Sequence, residues 1–291
     1  MASSQRCSAF TLIELSIVLV IIGLLVGGIL VGRDMIEAAK ARATISQLEN
    51  FKTAMNTFNL KYDSLPGDLT QDQATAYGFQ PTSRPDTAYG VTHGDGRLDA
   101  DSPGGACTFW CYAILASETV LFWQDLSSAG LMSGFSQATD GPITTATVGT
   151  IDQFVPRTKL DDTYAFIYST REPFAGYSSP PVVVPPATFI QLAGVSAIDS
   201  TGQMTVANTI TPTQALGIDS KIDDGNPWTG LVLSAEQQYI AFHPSDFSGY
   251  SSGVDTSGCV QYSPQGPHSG VYRMTGNYAS TPACQLSIRL F

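Results

Sequence analysis

The sequence predicts an α+β protein in which one long N-terminal α-helix, first transmembrane and then amphipathic, packs on a mostly antiparallel β-sheet head. Three observations predict this layout. Residues 10–31 form an apolar run, residues 33–62 carry apolar side chains at helical spacing, and the rest of the 291-residue chain alternates short β-rich runs with turns. We therefore expect segments at 1–9, 10–32, 33–62 and 63–291, with a single head.

The apolar run from Phe10 to Val31 is 22 residues long and contains one ionisable side chain, Glu14. At about 1.5 Å per helical residue it spans roughly 33 Å, which is enough to cross a bilayer. The small residue Ala9 precedes the run, whereas the cleavage site of a secretory signal peptide follows its apolar core. The run therefore predicts a membrane-spanning helix.

Glu14 is the feature that a plain membrane anchor does not explain. A carboxylate inside a membrane helix costs about 2.5 to 3.5 kcal/mol at the helix centre and less near an end. One interpretation is that Glu14, four residues after Phe10, stays hydrated at the membrane surface. The other is that a positive charge on a partner molecule neutralises it.

The residues Ala9-Phe10-Thr11-Leu12-Ile13-Glu14-Leu15 resemble the processing and assembly motif of type IV pilins and of the pseudopilins of type II secretion. The resemblance implies that a prepilin peptidase removes Met1 to Ala9 as a leader and methylates the new amine of Phe10. The family usually has Gly before the cut, where this chain has Ala9. Glu14 is then expected to neutralise the Phe10 amine of a neighbouring subunit in a helical filament.

The same resemblance implies a location and a set of partners. The chain is expected to span the bacterial inner membrane once, with its head in the periplasm, and then to enter a periplasmic or extracellular filament. Its implied partners are further copies of itself, the prepilin peptidase and the inner-membrane assembly machinery. The bases that follow the run, at Arg33, Lys40, Arg42 and Lys52, favour the opposite orientation by the positive-inside rule. Interleaved acids and the acidic, cysteine-containing head favour the periplasmic one.

Four glycines in the apolar run form two small-xxx-small pairs, Gly23/Gly27 and Gly28/Gly32. Such pairs allow close helix contacts in lipid, and each glycine weakens a helix by about 1 kcal/mol relative to alanine. The glycines are consistent with simple transmembrane packing. They are equally consistent with a segment that melts when subunits enter a filament, as happens in some members of the family.

The helix is predicted to continue through residues 33–62 as an amphipathic segment. Its apolar stripe consists of Ile45, Leu48, Phe51, Met55, Phe58 and Tyr62. Spacings of three or four residues place these side chains on one face, and we expect that face to pack on the head of the same chain. The residues Ser64-Leu65-Pro66-Gly67-Asp68 are predicted to end the helix.

The head is predicted to contain strands and one further helix. The predicted strands are 164–168, 181–185, 189–192, 238–242 and 285–291, with the Ser- and Pro-rich segment 175–186 as an internal loop. The helix is expected to start at a Ser117 cap and to stop at Gly130. Patches at 58–68, 122–131 and 215–227 are similar to larger prepilin-like proteins of proteobacteria.

The charge balance argues against a nucleic-acid-binding surface. The chain has 25 acidic and 14 basic residues, and residues 63–291 hold 21 acids and 8 bases, a net charge of −13. A surface of that sign repels phosphates, so no direct nucleic-acid binding is predicted.

Four cysteines remain after removal of the implied leader: Cys107, Cys111, Cys259 and Cys284. An even number in an exported chain favours two disulfides, for which three connectivities are possible. We prefer the local pairings of 107 with 111 and of 259 with 284.

Two acidic clusters lie in glycine-containing segments: Asp95, Asp99 and Asp101, and Asp219, Asp223 and Asp224. Calcium prefers such carboxylate oxygens, and some pseudopilins hold calcium in a loop of the head. However, the EF-hand spacing is absent, so solvated turn acids are the preferred interpretation and a structural calcium ion is the alternative. No other cofactor is expected.

An enzyme is not predicted. The residues Gly249-Tyr-Ser251-Ser-Gly253 fit the G-x-S-x-G pattern, and Asp255 and His268 follow in the order found in hydrolases. The strand-helix units that this pattern requires do not fit into the sequence after Gly253. The isolated histidines His93, His243 and His268 are expected to be satisfied or exposed loop residues.

These observations favour a structural subunit that polymerises through its N-terminal helix. A second hypothesis is a minor or tip pilin, or a type II secretion pseudopilin, whose head binds a surface or a secreted substrate. A third is a membrane-anchored protein that never polymerises and retains Met1 to Ala9.

Overall fold

The computed structural model describes residues 12–80, 84, 91–99, 115–135, 143, 146–169, 174–176, 182–184, 187–200, 202–227, 229–235, 258–262 and 270–290. The chain divides into two units, Met1–Lys40 and Ala41–Phe291. Helix α1 (Leu12–Tyr62) contributes to both units. A long N-terminal apolar helix together with an antiparallel head confirms the predicted α+β class.

Nine strands are described in the second unit. They are β1 (Tyr164–Ser169), β2 (Phe174–Gly176), β3 (Val182–Val184), β4 (Thr188–Ile198), β5 (Met204–Ala207), β6 (Val232–Ala235), β7 (Val260–Tyr262), β8 (Gly270–Tyr272) and β9 (Gln285–Arg289). The main sheet has the order β1-β4-β9-β6, and β5 pairs with the far end of β4. Every pairing is antiparallel, and β2–β3 and β7–β8 form separate two-stranded ribbons.

Three further helices accompany the sheet: α2 (Gln71–Tyr77), α3 (Ser117–Ser128) and α4 (Pro212–Ile222). Both α2 and α4 begin with a capping box, in which a threonine hydroxyl accepts from the backbone of a glutamine three residues later and the glutamine side chain accepts in return. Short 3₁₀ helices occur at Ile151–Gln153 and Gly276–Ser280.

The core of the head forms between α1, α3 and the sheet. The predicted stripe on α1 is confirmed, since Leu48, Phe51, Met55 and Phe58 are buried and Ile45 and Tyr62 pack at the edge of the core. The ring of Phe51 meets the indole of Trp123 edge-on, with 5.0 Å between centroids. The C-terminal half of α1 is thus part of the head's own core.

Several predicted elements agree with the structure. Helix α1 ends at Tyr62, just before the predicted stop, and strands are present where β1, β3, β4 and β9 were expected. Gly130 has a left-handed φ of 72°, and α3 ends two residues before it. The predicted strand at 238–242 lies outside the described residues.

Three expectations about the head were wrong. Instead of one further helix, the described part of the head contains three, because the capping boxes at Thr70 and Thr211 were overlooked. The segment 175–186 was expected to contain the strand at 181–185, but β2 (Phe174–Gly176), which pairs with it, was not expected. Ser117 does not cap α3: the N-cap is Ala116, without a side-chain bond. Backbone bonds of Leu115 with Gly202 and Ile143 fix the chain at this entry instead.

Candidate functional site

The N-terminal part of α1 presents its apolar side chains outward. Among residues 12–31 the large apolar side chains are at least half exposed, from Leu12 at 89% to Ile21 at 50%. By length and composition α1 could cross a membrane, and its most apolar window has no residue buried inside the protein. A helix with this surface needs an apolar surrounding, either lipid or other helices.

Glu14 lies in the first described turn of this helix, between the exposed side chains of Ile13 and Leu15. The hydroxyl of Ser16 donates to the Ile13 carbonyl oxygen over 2.9 Å, which satisfies the one other polar side chain of this turn. Ala9 and Phe10 lie outside the described residues. Cleavage before Phe10 and its pairing with Glu14 therefore stay predictions.

The four glycines of the apolar run leave the helix surface open. A Cβ atom built on Gly23, Gly27, Gly28 or Gly32 meets no other atom within 4 Å. The absence of side chains at these positions is therefore not required by packing within the chain. Both interpretations, close contact with another helix and local melting, remain consistent with this surface.

A cluster of buried ionisable side chains lies in the head around Asp68. The backbone N–H groups of Gly94 and Gly96 donate to the two carboxylate oxygens of Asp68, the latter over 2.8 Å. Glu118 of α3 accepts from the Asp99 N–H over 2.7 Å, and its other oxygen lies 3.0 Å from His93 Nδ1. These contacts join the turn after α1, the 91–99 loop and the start of α3.

Burial dominates the electrostatics of this cluster. Desolvation raises the pKa of Asp68 to about 6, against the lowering effect of the hydrogen bonds from Gly94 and Gly96. Desolvation likewise raises the pKa of Glu118, the nearby Asp68 raises it further, and His93 opposes the shift. Sequence analysis missed this cluster, although Asp68 after Pro-Gly and the glycines flanking Asp95 were available signals.

A buried ion pair lies next to this cluster. The two terminal nitrogens of Arg84 donate to the two carboxylate oxygens of Asp125 over 2.9 and 2.7 Å, and both side chains are fully buried. The Asp125 carboxylate also accepts from the Gly67 N–H over 2.8 Å. Only glycine fits at position 67, where φ is +88° and a Cβ would lie 2.4 Å from the Glu118 carbonyl oxygen.

The candidate calcium residues in the last turn of α4 and just after it come together. One carboxylate oxygen from each of Asp219, Asp223 and Asp224 lies within 4.8 Å of the others. The buried Asp219 accepts from Tyr272 Oη over 2.8 Å and from the Gly225 N–H over 3.1 Å. Burial raises the pKa of Asp219 to about 6 and also raises the pKa of Tyr272.

The other described calcium candidates, Asp95 and Asp99, lie in different environments. Asp95 is exposed and accepts from the Arg97 N–H over 3.0 Å, as a turn residue commonly does. Asp99 is buried and is held through its N–H by Glu118. Asp101 lies outside the described residues.

The structure links Cys259 to Cys284, one of the two pairings preferred from the sequence. This disulfide is buried and joins residues 25 positions apart, just before β7 and β9. Closing a loop of that size contributes about 3 kcal/mol by restricting the unfolded chain. Cys107 and Cys111 lie outside the described residues.

The residues of the hydrolase-like pattern, from Gly249 to Gly253 with Asp255 and His268, lie outside the described part of the chain, and so does the isolated His243. His93 is the histidine that the structure does describe, and it is a buried residue of the 91–99 loop that contacts Glu118.

Residues 4–30 match the prokaryotic N-terminal methylation motif. No curated protein and no solved structure matches the chain.

The matched motif is the signature of type IV pilins and pseudopilins, as the residues around Phe10 and Glu14 had predicted. The chain therefore carries the N-terminal signature of secreted-filament subunits on an apolar helix of membrane-spanning length. The motif points to a structural protein.

Proposed function

We propose that this chain is a structural subunit of a type IV pilus-like filament, processed by a prepilin peptidase and stored in the inner membrane before assembly. The N-terminal methylation motif at residues 4–30 carries the proposal. Apolar helix packing drives assembly, and the pair formed by Glu14 and a neighbour's Phe10 amine sets the register of the helices.

Two further features support an anchored chain whose head lies in the periplasm or outside the cell. Its buried disulfide between Cys259 and Cys284 suits an oxidising compartment, such as the periplasm or the cell exterior. The exposed apolar surface of α1 has to be covered, and the membrane and the filament core each provide such a cover. The partners in this proposal are further copies of the chain, the peptidase and the assembly machinery.

Determination of the mature N-terminus tests the proposal directly. Sheared filaments from the producing cells should contain the chain, and N-terminal mass spectrometry should find N-methylated Phe10 as its first residue. In a strain without prepilin peptidase, the chain should retain its leader and should not enter filaments. A mature, membrane-bound protein that still carries residues 1–9 in normal cells would favour the simple anchored protein.

The alternative is a minor or tip subunit, or a type II secretion pseudopilin, whose head binds a surface or a secreted substrate. The size of the head, residues 63–291, favours this alternative over a small repeating subunit. Abundance separates the two roles, because a major subunit dominates sheared filaments whereas a tip subunit is scarce.

Structural calcium at Asp219, Asp223 and Asp224 is a further part of the proposal. Three carboxylate oxygens within 4.8 Å provide hard ligands, although Asp219 and Asp224 accept from N–H groups of the loop after α4 and Asp223 accepts from the N–H of Val232 in β6. Calcium at about 100 times its Kd should stabilise the head by about 2.7 kcal/mol. Thermal melting of the full chain with calcium or with EDTA measures this effect. Asp224→Asn should remove it, and identical melting curves for the unaltered protein would exclude the ion.

A further inference from the structure

Residues 256–291 differ in charge from the rest of the head. They contain two arginines and no acidic side chain, whereas residues 63–255 contain 21 acids and six bases. In the folded head they contribute β7, β8, β9 and the 3₁₀ helix Gly276–Ser280. A strongly acidic head thus includes one region without negative side chains.

The same region carries a group of exposed apolar side chains. Val271, Met274 and Tyr278 are 65%, 44% and 47% exposed. The other described large apolar side chains of the head with such exposure are scattered along the chain: Leu60, Tyr77, Val148 and Leu231. Single exposed apolar residues are normal on protein surfaces, whereas a group of them marks a contact surface.

Strand β8 turns its outer side chains toward this group. Tyr272 points inward, where its hydroxyl donates to the buried Asp219 over 2.8 Å. Since side chains alternate along an extended chain, the residues on either side of Tyr272 point outward. The guanidinium of the second one, Arg273, lies 3.7 Å from the centre of the Tyr278 ring. We define the β8 patch as Val271, Arg273, Met274 and Tyr278.

The β8 patch has a firmly held base. The disulfide between Cys259 and Cys284 closes the segment that carries it. The Arg273 N–H donates to the Cys259 carbonyl oxygen over 2.9 Å, and Thr213 of α4 donates its hydroxyl to the Ala279 carbonyl oxygen over 2.7 Å. Side chains on such a base lose little conformational freedom on binding, which favours a docking role.

We propose that the β8 patch docks on the acidic surface of a neighbouring copy's head and so forms a head-to-head contact, an inference that rests on the proposed filament function. Tyrosine, methionine and arginine are enriched in protein interfaces. The positive charge of Arg273, without acidic residues nearby in its own segment, complements the acidic surface formed by residues 63–255.

This contact also has the symmetry that a filament requires. It joins two different surfaces, the β8 patch of one copy and an acidic surface of the next. A contact of this heterologous kind leaves each copy with one unused surface of each type, so further copies can add. Repetition without closure then builds an open helical array.

Hydroxyl-radical labelling of the unaltered protein tests whether assembly covers the β8 patch. Mass spectrometry measures the oxidation of Met274 and Tyr278 in intact filaments and in detergent-solubilised subunits. Oxidation of both should fall at least about fivefold in filaments, because the core of an interface excludes solvent. Tyr77 of α2 is 50% exposed and serves as the reference. Unchanged oxidation of the patch would overturn the proposal, and so would an equal fall at Tyr77, which would indicate general shielding.

Two patch variants with matched controls test the energetic role. Arg273→Glu should lower the amount of sheared filament about tenfold, because it places a negative charge against an acidic surface. Lys159→Glu makes the same charge change at an exposed position outside the patch and should assemble normally. If Arg273→Glu fails to fold, Val271→Asp is compared with Val148→Asp, and only the former should reduce assembly.

The outcomes separate this contact from the filament function itself. Normal filaments from the folded patch variants would overturn the docking role and leave the filament function intact. Absence of the unaltered chain from filaments would refute the filament function, and the head-to-head contact with it.

Discussion

Replacing Glu14 by alanine is expected to leave membrane insertion intact and to reduce the amount of assembled filament at least about tenfold. Alanine makes the helix more apolar, so insertion becomes easier rather than harder. Two opposite charges about 4 Å apart contribute about 4 kcal/mol at an effective dielectric of about 20. A loss of only about 1.4 kcal/mol at each subunit contact lowers the association constant about tenfold.

The comparison needs two further variants. Glu14→Gln preserves the size of the side chain and removes its charge, so it should fail in the same way as alanine. Glu37→Ala removes an exposed charge from α1 outside the apolar run and should assemble normally. The amounts in membranes and in sheared filaments are measured by immunoblotting. Normal filaments from Glu14→Gln would show that charge pairing is not the role of Glu14.

Replacing Asp125 by alanine is expected to destabilise the head by about 3 to 5 kcal/mol. The change leaves the fully buried guanidinium of Arg84 without its bidentate partner and also removes the acceptor of the Gly67 N–H. Breaking a buried ion pair on one side is costly because the remaining charge stays desolvated. Urea unfolding of the full chain in detergent, followed by Trp fluorescence, measures the free energy change.

Two controls separate this cost from a general effect of losing a carboxylate. Asp152→Ala removes an exposed partner of Arg157 that lies 3.5 Å away and should cost less than about 1 kcal/mol. The double variant Arg84→Met/Asp125→Leu removes both charges and should recover a large part of the lost stability. A cost below about 1 kcal/mol for Asp125→Ala would contradict the importance of the buried pair.

The N-terminal half of the architecture could be predicted because its signals are local. The uninterrupted apolar run and the stripe from Leu48 to Phe58 each repeat within a few residues, and Pro66 marks the end of the pattern. The same is true of β1 and β9, whose apolar and aromatic side chains lie within one short run each. Such patterns can be identified without knowledge of the tertiary structure.

The head's polar contacts could not be predicted because they join distant positions. Arg84 and Asp125 are 41 residues apart, and Asp68 and Gly94 are 26 residues apart. No periodicity connects such pairs, and their partners are set only when α3 and the 91–99 loop pack together. Helices α2 and α4 are a different case, since their capping boxes were present in the sequence.

Because β9 lies between β4 and β6, the main sheet can form completely only after β9 has paired. Its partners in β4 lie almost a hundred positions earlier, so the centre of the main sheet stays open until residues 285–289 are free to pair. Contacts of such long range form slowly. A premature stop codon upstream of residue 285 would remove the middle of the sheet rather than its rim. The truncated product should then expose β4 to proteases and chaperones instead of forming a smaller stable head.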